Sequence, residues 1–454
     1  MKRTALLLLT LVLISPTGAQ VQVRPLPKSG YDLRIRQVIN QLRIVDTHEH
    51  LQSYANLTWR YKCSKPDFMF LFIIYAYDDI QSAGIPQPLF NRLMTDSMTV
   101  MEKWKKFKPY WEGSSNTAYN RAVLLATDKL FGVKNIDSST VEELSSKVRM
   151  AYKDESRWFN QVLKEKCRIE YVVTDAWWNL GTNFYDPALF RFVIRFDNFI
   201  WINSKSDIEN LTKRKIGSEI TLDDLVASLS MAFHEALDKG YIGVKSGLAY
   251  NRTLFYENVK KEKAEEVFNK IRNSQTSLSF DEVKPLQDYM MHRVLDLAKA
   301  NNLPVQIHTG LQAGNGNKIE NSKPTHLVNL FQEYPDVKFI LFHGAYPYGG
   351  ELSTLAKNFR NVFIDMCWMY VISPSYSERY LNEWLETVPA NKIMAFGGDY
   401  FNVEGVYSHL MLAKQVISNV LVRKVKDGYF TEDEAIKIAR MILHDNAINI
   451  FKIK

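Results

Sequence analysis

Five short apolar runs of this chain end at, or just before, side chains that can bind a metal ion or transfer a proton. Histidine nitrogens and carboxylate oxygens are ligands of Zn²⁺, and they also suit Mn²⁺ or Fe²⁺. One histidine at a strand end is more often structural, but several such positions in register favour a functional site. The positions are His48 and His50 in RIVDTHEH, Lys245 in GYIGVKSGLAYNR, His308 in LPVQIHTG, His343 in VKFILFHG and Asp399 in KIMAFGGD.

The spacing of His48 and His50 predicts that they act together. Residues two apart on a strand point to the same face of the sheet, so both imidazoles can reach one ion. Glu49 lies between them, points to the opposite face and is expected to be structural. Asp46 is expected to brace a ligand histidine through its second ring nitrogen.

The rest of the sequence supplies a scaffold that can bring these distant residues together. Short apolar runs alternate with amphipathic helical patterns, which predicts a parallel sheet. Eight such runs predict an α/β fold of the (β/α)₈ TIM-barrel type, in which the carboxyl ends of the strands meet at one mouth. After the run in Arg43–His50, the predicted strands are Ile169–Thr174, Phe192–Trp201, Gly243–Leu248, Val305–Thr309, Phe339–His343, Val362–Met366 and Ile393–Phe396.

A long segment between the first two predicted strands differs from the rest of the chain in composition and residue spacing. Residues 59–166 are rich in lysine, methionine and aromatic residues at helical spacing, and they contain no strand-like run. This pattern predicts a helical insertion after strand one. Because the insertion leaves from the carboxyl end of that strand, we expect it to cover part of the barrel mouth.

The amino terminus has the three parts of a secretory signal peptide. Lys2 and Arg3 give a cationic start, an apolar run follows, and small residues around Ala19 form a cleavage site. We therefore expect residues 1–19 to be removed on export to the periplasm or the outside of the cell. Residues 20–454 would then form the barrel, and no later run is long enough to span a membrane.

The overall composition excludes several classes of protein. Apolar residues make up 46% and charged residues 24% of the chain, as in ordinary globular proteins. The net charge of +7 is small and no basic arm is present, which argues against a nucleic-acid partner. Three widely spaced cysteines do not form a disulfide framework. The expected partner is a small-molecule substrate. The sequence leaves open whether the chain also forms a homo-oligomer.

The order of the motifs resembles the amidohydrolase superfamily of metal-dependent hydrolases. The motif sequences VDTHEH, IHTG, FHG and GGD are most similar to those of the amidohydrolase-related branch, also called amidohydrolase 2. The similarity extends from Arg43 to Asp399. That branch includes hydrolases, nonoxidative decarboxylases and the amidohydrolase-like domain fused to some glutamine synthetases. The long insertion is also similar to that of uronate isomerases, which are remote relatives.

The resemblance implies a role for each position. It implies one or two divalent ions per chain, with Zn²⁺ preferred, and metal binding by His48, His50, His308 and Asp399. His343 would hold a second ion or orient a substrate carbonyl. The catalytic candidates are Asp399 and His343. An ion there would acidify a water, and Asp399 would accept its proton and return it to the leaving group.

Three roles are open for Lys245. In relatives with two metal ions the matching lysine is carbamylated and bridges the ions, so Lys245 is also a candidate ligand. In relatives with one ion it can instead face a substrate carboxylate, and the third alternative is a structural salt bridge. An unmodified ammonium beside a dication would be strongly disfavoured. Arg252, whose fork suits carboxylates, and Tyr250 follow this strand and are expected to bind substrate.

The leading hypothesis is a metal-dependent hydrolase that cleaves an amide or related C–N bond of a small carboxylated molecule. A uronate-type aldose–ketose isomerase or a nonoxidative decarboxylase would use a similar ligand set, so the ligands alone do not separate these reactions. A third hypothesis is an inactive barrel that binds a ligand, and the complete ligand set argues against it.

Overall fold

The fold is built around eight parallel strands, and each strand is hydrogen-bonded to the next one along the chain. The structure is a computed structural model that describes residues 30–175, 185–214, 220–274, 276 and 278–453. The predicted (β/α)₈ TIM barrel is confirmed. The strands are β1 (Ile44–Glu49), β2 (Ile169–Thr174), β3 (Phe190–Arg195), β4 (Gly243–Ser246), β5 (Val305–Ile307), β6 (Phe339–Leu341), β7 (Val362–Asp365) and β8 (Ile393–Met394).

Backbone hydrogen bonds just beyond β8 join it to β1. The Thr47 N–H donates to the Phe396 carbonyl oxygen at 3.1 Å, and the Asp399 N–H donates to the His48 carbonyl oxygen at 2.9 Å. All six residues of β1 are buried. The closure therefore places His48 and Asp399, which are far apart in sequence, side by side in the interior of the mouth.

The described elements between β1 and β2 are all helical. The largest, α5, begins at a capping box in which Thr99 and Glu102 satisfy each other's backbone N–H groups. Aromatic side chains fill the centre of the insertion, as where the Phe72 and Phe107 rings meet at 4.9 Å. The helices are α2 (Tyr54–Tyr61), α3 (Ala76–Ser82), α4 (Gln87–Leu93), α5 (Val100–Ser114), α6 (Ala118–Phe131), α7 (Val141–Ala151) and α8 (Glu155–Asn160).

The remaining helices surround the barrel, and α1 (Gly30–Gln41) precedes β1. None of the described helices has the length and apolarity needed to cross a membrane. The predicted signal peptide, residues 1–19, lies outside the described residues. The helices after β3 are α9 (Asp197–Ile200), α10 (Lys205–Thr212), α11 (Leu222–Asp238), α12 (Lys261–Asn273), α13 (Phe280–Ala300), α14 (Val328–Glu333), α15 (Gly349–Asn358), α16 (Met369–Ile372), α17 (Pro374–Thr387), α18 (Val403–Lys426), α19 (Glu432–Arg440) and α20 (Asn446–Phe451).

The predicted bounds of the third strand, Phe192–Trp201, are wrong. The strand ends at Arg195, and the apolar sequence that follows forms the short helix α9. The Asp197 carboxylate accepts a hydrogen bond from the Gly247 N–H at 2.7 Å, which ties the turn to the loop after β4. Arg195 is therefore the last residue of a barrel strand and lies at the mouth.

A buried carboxylate joins the insertion to the barrel. Glu404, in the first turn of α18, accepts hydrogen bonds from the Tyr152 hydroxyl and from the Trp158 indole N–H, both at 2.9 Å. Burial raises the pKa of Glu404. Both donors belong to the end of the insertion, so this carboxylate fixes that end against α18.

Candidate metal centre and active site

Three ligand atoms converge where β1 meets the chain after β8. His48 Nε2 lies 3.3 Å from His50 Nε2. Asp399 Oδ1 lies 3.2 Å from His50 Nε2 and 3.7 Å from His48 Nε2. Ligands at about 2.0–2.2 Å from a tetrahedral Zn²⁺ are separated from each other by about 3.3 Å. These residues therefore fit a divalent ion without rearrangement.

The proton positions point to the same conclusion. His50 Nδ1 lies 2.9 Å from the Asp175 carbonyl oxygen, which can only accept, so Nδ1 carries a hydrogen. His50 Nε2 can then face the Asp399 carboxylate favourably only with a cation between them, either a proton on the ring or a metal ion. The carbonyl contact also fixes the ring orientation, as is usual for histidine ligands.

The two glycines of the GGD sequence, Gly397 and Gly398, have a steric role. A side chain at Gly397 would place its Cβ 2.6 Å from Thr47 Oγ1, and one at Gly398 would place it 1.7 Å from Glu49 Oε1. Only glycine allows the chain after β8 to approach β1 this closely. Without that approach the Asp399 carboxylate would not reach the two histidines.

Asp399 also holds its charge. Burial raises its pKa, but the His50 hydrogen bond and the nearby His50, His343 and Lys245 charges outweigh this and lower the pKa of Asp399 to about 2. Beneath the site, burial has the opposite net effect on Asp46 and raises its pKa to about 7. The prediction that Asp46 braces a ligand histidine through its ring disagrees with the structure, because Asp46 Oδ1 instead accepts the backbone N–H groups of His48 and Gly398.

His308 and His343 face each other at the ends of β5 and β6. His343 Nε2 lies 3.0 Å from His308 Nδ1. The outer nitrogens lie against carbonyl oxygens, 3.0 Å from Cys367 for His343 Nδ1 and 2.9 Å from Leu311 for His308 Nε2. Both outer nitrogens must donate, so two neutral rings have no hydrogen left for the contact between them. Burial lowers the pKa of both rings, that of His343 to about 4.

The two rings therefore present lone pairs to each other, an arrangement that a cation stabilises. Among the described residues, however, the ligand atoms that converge at His48, His50 and Asp399 do not include His308. A second group of ligand atoms joins His343 and Asp399 with Cys367. The mouth thus contains two adjacent groups that share Asp399.

Lys245 lies in β4 with its side chain almost completely buried. Its Nζ lies 3.7 Å from the centre of the Phe342 ring, and no described residue accepts a hydrogen bond from it. Burial and the nearby Arg195 charge lower the pKa of Lys245 to about 8. The neutral amine, which carbamylation requires, is therefore more populated near neutral pH than in an ordinary lysine.

A cavity of about 480 Å³ opens at the ends of β3 and β4. Arg195, which the sequence analysis missed, lies on its wall, with a side chain that is 25% exposed and donates to Asp175 Oδ2 at 2.5 and 2.6 Å. A Cβ at Gly247 would lie 2.8 Å from the Arg195 guanidinium, so this glycine makes room for it. Tyr250, a predicted substrate-binding residue, also lines the cavity, and its ring lies 4.7 Å from the His308 ring.

The prediction that Arg252 binds substrate disagrees with the structure. Its side chain is fully buried in an ion pair with Asp288 at 2.6 Å. The guanidinium also donates to Gln287 and to the carbonyl oxygens of Thr253 and Phe255. Protein acceptors therefore occupy this fork, and Arg252 is a structural residue.

The insertion contributes directly to the mouth. The Tyr75 hydroxyl donates to the Asp399 carbonyl oxygen at 2.6 Å, and the Tyr75 ring stacks on Trp368 at 4.4 Å. Farther out, Asp78 Oδ2 accepts the Gly314 N–H at 2.9 Å. These contacts connect α3 and the residue before it to the loop after β5 and to the metal-binding group.

Several residues of the mouth adopt the left-handed backbone region. Tyr75 has φ 54°, His343 61°, Trp368 64° and Asp399 64°. Such conformations are unfavourable for residues other than glycine and cluster at functional sites, where surrounding structure enforces them.

The sequence of the chain is similar to a known protein family and to a known protein. Residues 268–453 match the family model described as amidohydrolase. The protein fluG of Emericella nidulans is 30% identical over 226 residues, which cover 48% of this chain and 26% of that protein. The chain therefore spans about a quarter of the length of this curated relative.

Solved structures share the fold over nearly the whole chain. The uronate isomerase of Thermotoga maritima superposes with a TM-score of 0.75 at 18% identity, covering 93% of this chain and 97% of the isomerase. A Lactobacillus casei protein described as a metal-dependent hydrolase has a TM-score of 0.63 at 16% identity, with 92% and 97% covered. At these identities the likeness establishes the barrel fold.

Proposed function

We propose that the chain, whose residues 268–453 match the amidohydrolase family model, is a metal-dependent enzyme that hydrolyses an amide or related C–N bond. The observation that carries the proposal is the convergence of His48, His50 and Asp399 at distances of 3.2 to 3.7 Å. This group lies at the barrel mouth, where the active sites of such barrels are found.

His48, His50 and Asp399 would hold the ion. The ion would polarise a substrate carbonyl and make a water more acidic. His343 and His308 lie beside this group. Burial lowers the pKa of both rings and keeps them uncharged near neutral pH. Each ring can therefore accept a hydrogen bond or bind a cation.

Asp399 would act as the general base. Its low pKa keeps it ionised, and next to a bound ion it would reach the attacking water. It would accept a proton at a carboxylate oxygen and donate it to the leaving nitrogen. The Tyr75 hydroxyl, bonded to the Asp399 backbone, would help to fix that position and exclude bulk water.

The cavity beside Arg195 supports a carboxylated substrate. Arg195 and Tyr250 both line the space, and the Arg195 guanidinium, which already donates to Asp175, would attract the negative charge of a substrate carboxylate. In this proposal Arg195 takes the role that the sequence analysis gave to Arg252. The reacting bond would lie between this anchor and Asp399.

One experiment separates hydrolysis from its two alternatives. Purified chain, loaded with Zn²⁺ or Mn²⁺, is incubated in heavy-oxygen water with dipeptides, γ-glutamyl amides, lactones and uronates. Hydrolysis of an amide adds labelled oxygen to the released carboxylate, aldose–ketose isomerisation gives an isomer of the uronate without net addition of water, and decarboxylation releases carbon dioxide. Labelled product from an amide supports the proposal, whereas isomerised uronate or released carbon dioxide from a metal-dependent reaction would replace it.

Matched variants connect the activity to the site. His48→Ala should lose metal and activity, while His234→Ala, which removes an exposed histidine on α11, should keep both. Stoichiometric absence of metal after metal-supplemented expression would rule out a metal-dependent reaction.

We also propose that the enzyme works outside the cytoplasm, on the basis of the sequence of residues 1–19. Mass spectrometry of the protein recovered from the host's export compartment should give a mature chain that starts at Gln20. Retention of the intact amino terminus in the cytoplasm would contradict this.

A further inference from the structure

Cys367 lies two residues beyond the end of β7 and is completely buried. Its Sγ, a ring nitrogen of His343 and a carboxylate oxygen of Asp399 lie within 4.8 Å of one another. Sulfur, nitrogen and oxygen ligands of this kind are those of Zn²⁺ and similar ions. The three residues come from the ends of β6, β7 and β8.

The hydrogen-bond pattern leaves His343 ready to bind a cation. Its Nδ1 donates to the carbonyl oxygen of Cys367 itself, so Nε2 keeps its lone pair. That lone pair meets the lone pair of His308 Nδ1 at 3.0 Å. A cation at this position would remove the repulsion between the two rings.

Asp399 belongs to both groups of ligand atoms. Two-metal hydrolytic sites hold their ions about 3.5–4 Å apart, so two groups of ligand atoms that share one residue are close enough to belong to one such site. The two groups are therefore arranged as neighbouring halves of one centre.

We propose that Cys367 provides a thiolate ligand to a second divalent cation, held together with His343 and Asp399 beside the ion at His48 and His50. On binding, the Cys367 S–H bond breaks, a sulfur–metal bond forms, and the proton leaves to solvent. The soft sulfur would favour Zn²⁺ or Co²⁺ over Mg²⁺ or Mn²⁺ at this position. The inference rests on the proposed metal-dependent function and deepens it.

The other two cysteines offer a comparison within the same chain. Cys63 donates to the Lys65 carbonyl oxygen at 3.2 Å and contacts Asp96 in the insertion. Cys167 is buried beside the start of β2. Neither lies in a group of potential metal ligands among the residues that the structure describes. All three are free thiols, so only the position of Cys367 distinguishes it.

The test uses the whole chain loaded with Co²⁺, because a thiolate ligand gives a sulfur-to-cobalt charge-transfer band in the near-ultraviolet. Wild type should bind about two ions per chain, as two-metal centres do, and show the band. Cys367→Ser should lose the band and bind about one ion, whereas Cys63→Ser and Cys167→Ser should match wild type. A band that persists in Cys367→Ser overturns the proposal.

A second measurement does not depend on a variant that folds. X-ray absorption of the zinc-loaded wild type should contain a sulfur shell at about 2.3 Å in addition to nitrogen and oxygen at about 2.0–2.1 Å. A spectrum with nitrogen and oxygen alone overturns the thiolate but leaves the proposed metal-dependent enzyme intact. Failure to bind any metal would instead reject the proposed function itself.

Discussion

Asp399 Oδ1 lies 3.2 Å from His50 Nε2 across the seam where the chain after β8 meets β1. The same seam closes the barrel through the backbone bonds of Thr47 and Asp399. An ion at this position would therefore connect the first and last strands of the barrel, in addition to any part in catalysis.

Metal removal should consequently lower the thermal stability of the chain. A ligand present at about 100 times its Kd stabilises the folded state by about 2.7 kcal/mol. We expect the melting temperature to fall when a chelator is added to wild type, but not when it is added to His50→Ala, which lacks a ligand. Equal responses of the two proteins in calorimetry would show that the ion binds elsewhere.

Asp399→Asn tests the proposed general base. Asparagine keeps the size and one oxygen of the side chain but cannot accept a proton. The variant should retain its fold and much of its metal, while turnover falls by about 10²–10⁴-fold, the usual contribution of a positioned acid–base group. Steady-state kinetics with metal analysis on the same sample measures both properties. Near-normal turnover with intact metal would transfer the role to His343.

The prediction of the metal group from sequence depended on local spacing and on regular alternation. His48 and His50 are two residues apart in β1, and the strand–helix pattern places Asp399 after β8. Each of these sequence signals lies within one short segment, and the symmetry of the barrel brings the segments together. The fold and the approach of these three residues were therefore predictable.

Residues whose position depends on distant partners were not predictable in the same way. Arg195 was hidden because apolar residues continue past the end of β3 into α9, so it appeared to be in mid-strand. Arg252 resembled an anion-binding residue in sequence, but Asp288, on α13, occupies its fork. Cys367 gave no spacing signal, because its potential partners come from other strands.

The two arginines should respond differently to replacement by lysine. Arg195→Lys keeps a charge at the cavity but loses the fork, and hydrogen bonds to charged groups contribute about 1.5–3 kcal/mol. KM should rise by at least about tenfold with a smaller change in kcat, and the melting temperature should also fall because lysine donates less well to the buried Asp175 carboxylate. A normal KM on the true substrate would remove Arg195 from the binding site.

Arg252→Lys serves as the contrasting variant. Lysine keeps a charge beside Asp288 but cannot also donate to Gln287 and to the carbonyl oxygens. Each buried acceptor left unsatisfied costs about 1–3 kcal/mol, so the main effect should be a lower melting temperature. KM should change little once the protein is folded. A raised KM without loss of stability would restore the original prediction that Arg252 contacts substrate.

Glu404 tests the attachment of the insertion. Glu404→Ala removes the acceptor of the Tyr152 and Trp158 hydrogen bonds and leaves two buried donors unsatisfied, each at a cost of about 1–3 kcal/mol. Hydrogen exchange in α7, α8 and the segment up to residue 166 should accelerate more than exchange in the barrel strands. Uniform acceleration across the chain would indicate global destabilisation and no specific connection.

The burial of Asp78, which the hydrogen bond from the Gly314 N–H offsets only in part, should make stability depend on pH. Burial raises the pKa of Asp78 to about 6, above its ordinary value, so the folded state disfavours the charged form. The resulting cost is fully present above about pH 6 and is lost as pH falls below the ordinary value of 3.8, where the carboxyl becomes protonated in both states. Asp78→Asn removes the titration but keeps an oxygen that can accept the Gly314 N–H.

The variant should therefore be more stable than wild type at about pH 7.5, and this advantage should shrink by about 1 kcal/mol at pH 5. Chemical denaturation of both proteins at the two pH values measures the change, and contributions from other groups cancel in the difference. Asp427→Asn, at an exposed position after α18, should show no comparable trend. If the Asp78→Asn advantage is constant or grows toward acid pH, Asp78 is not held in a burying contact with the loop after β5.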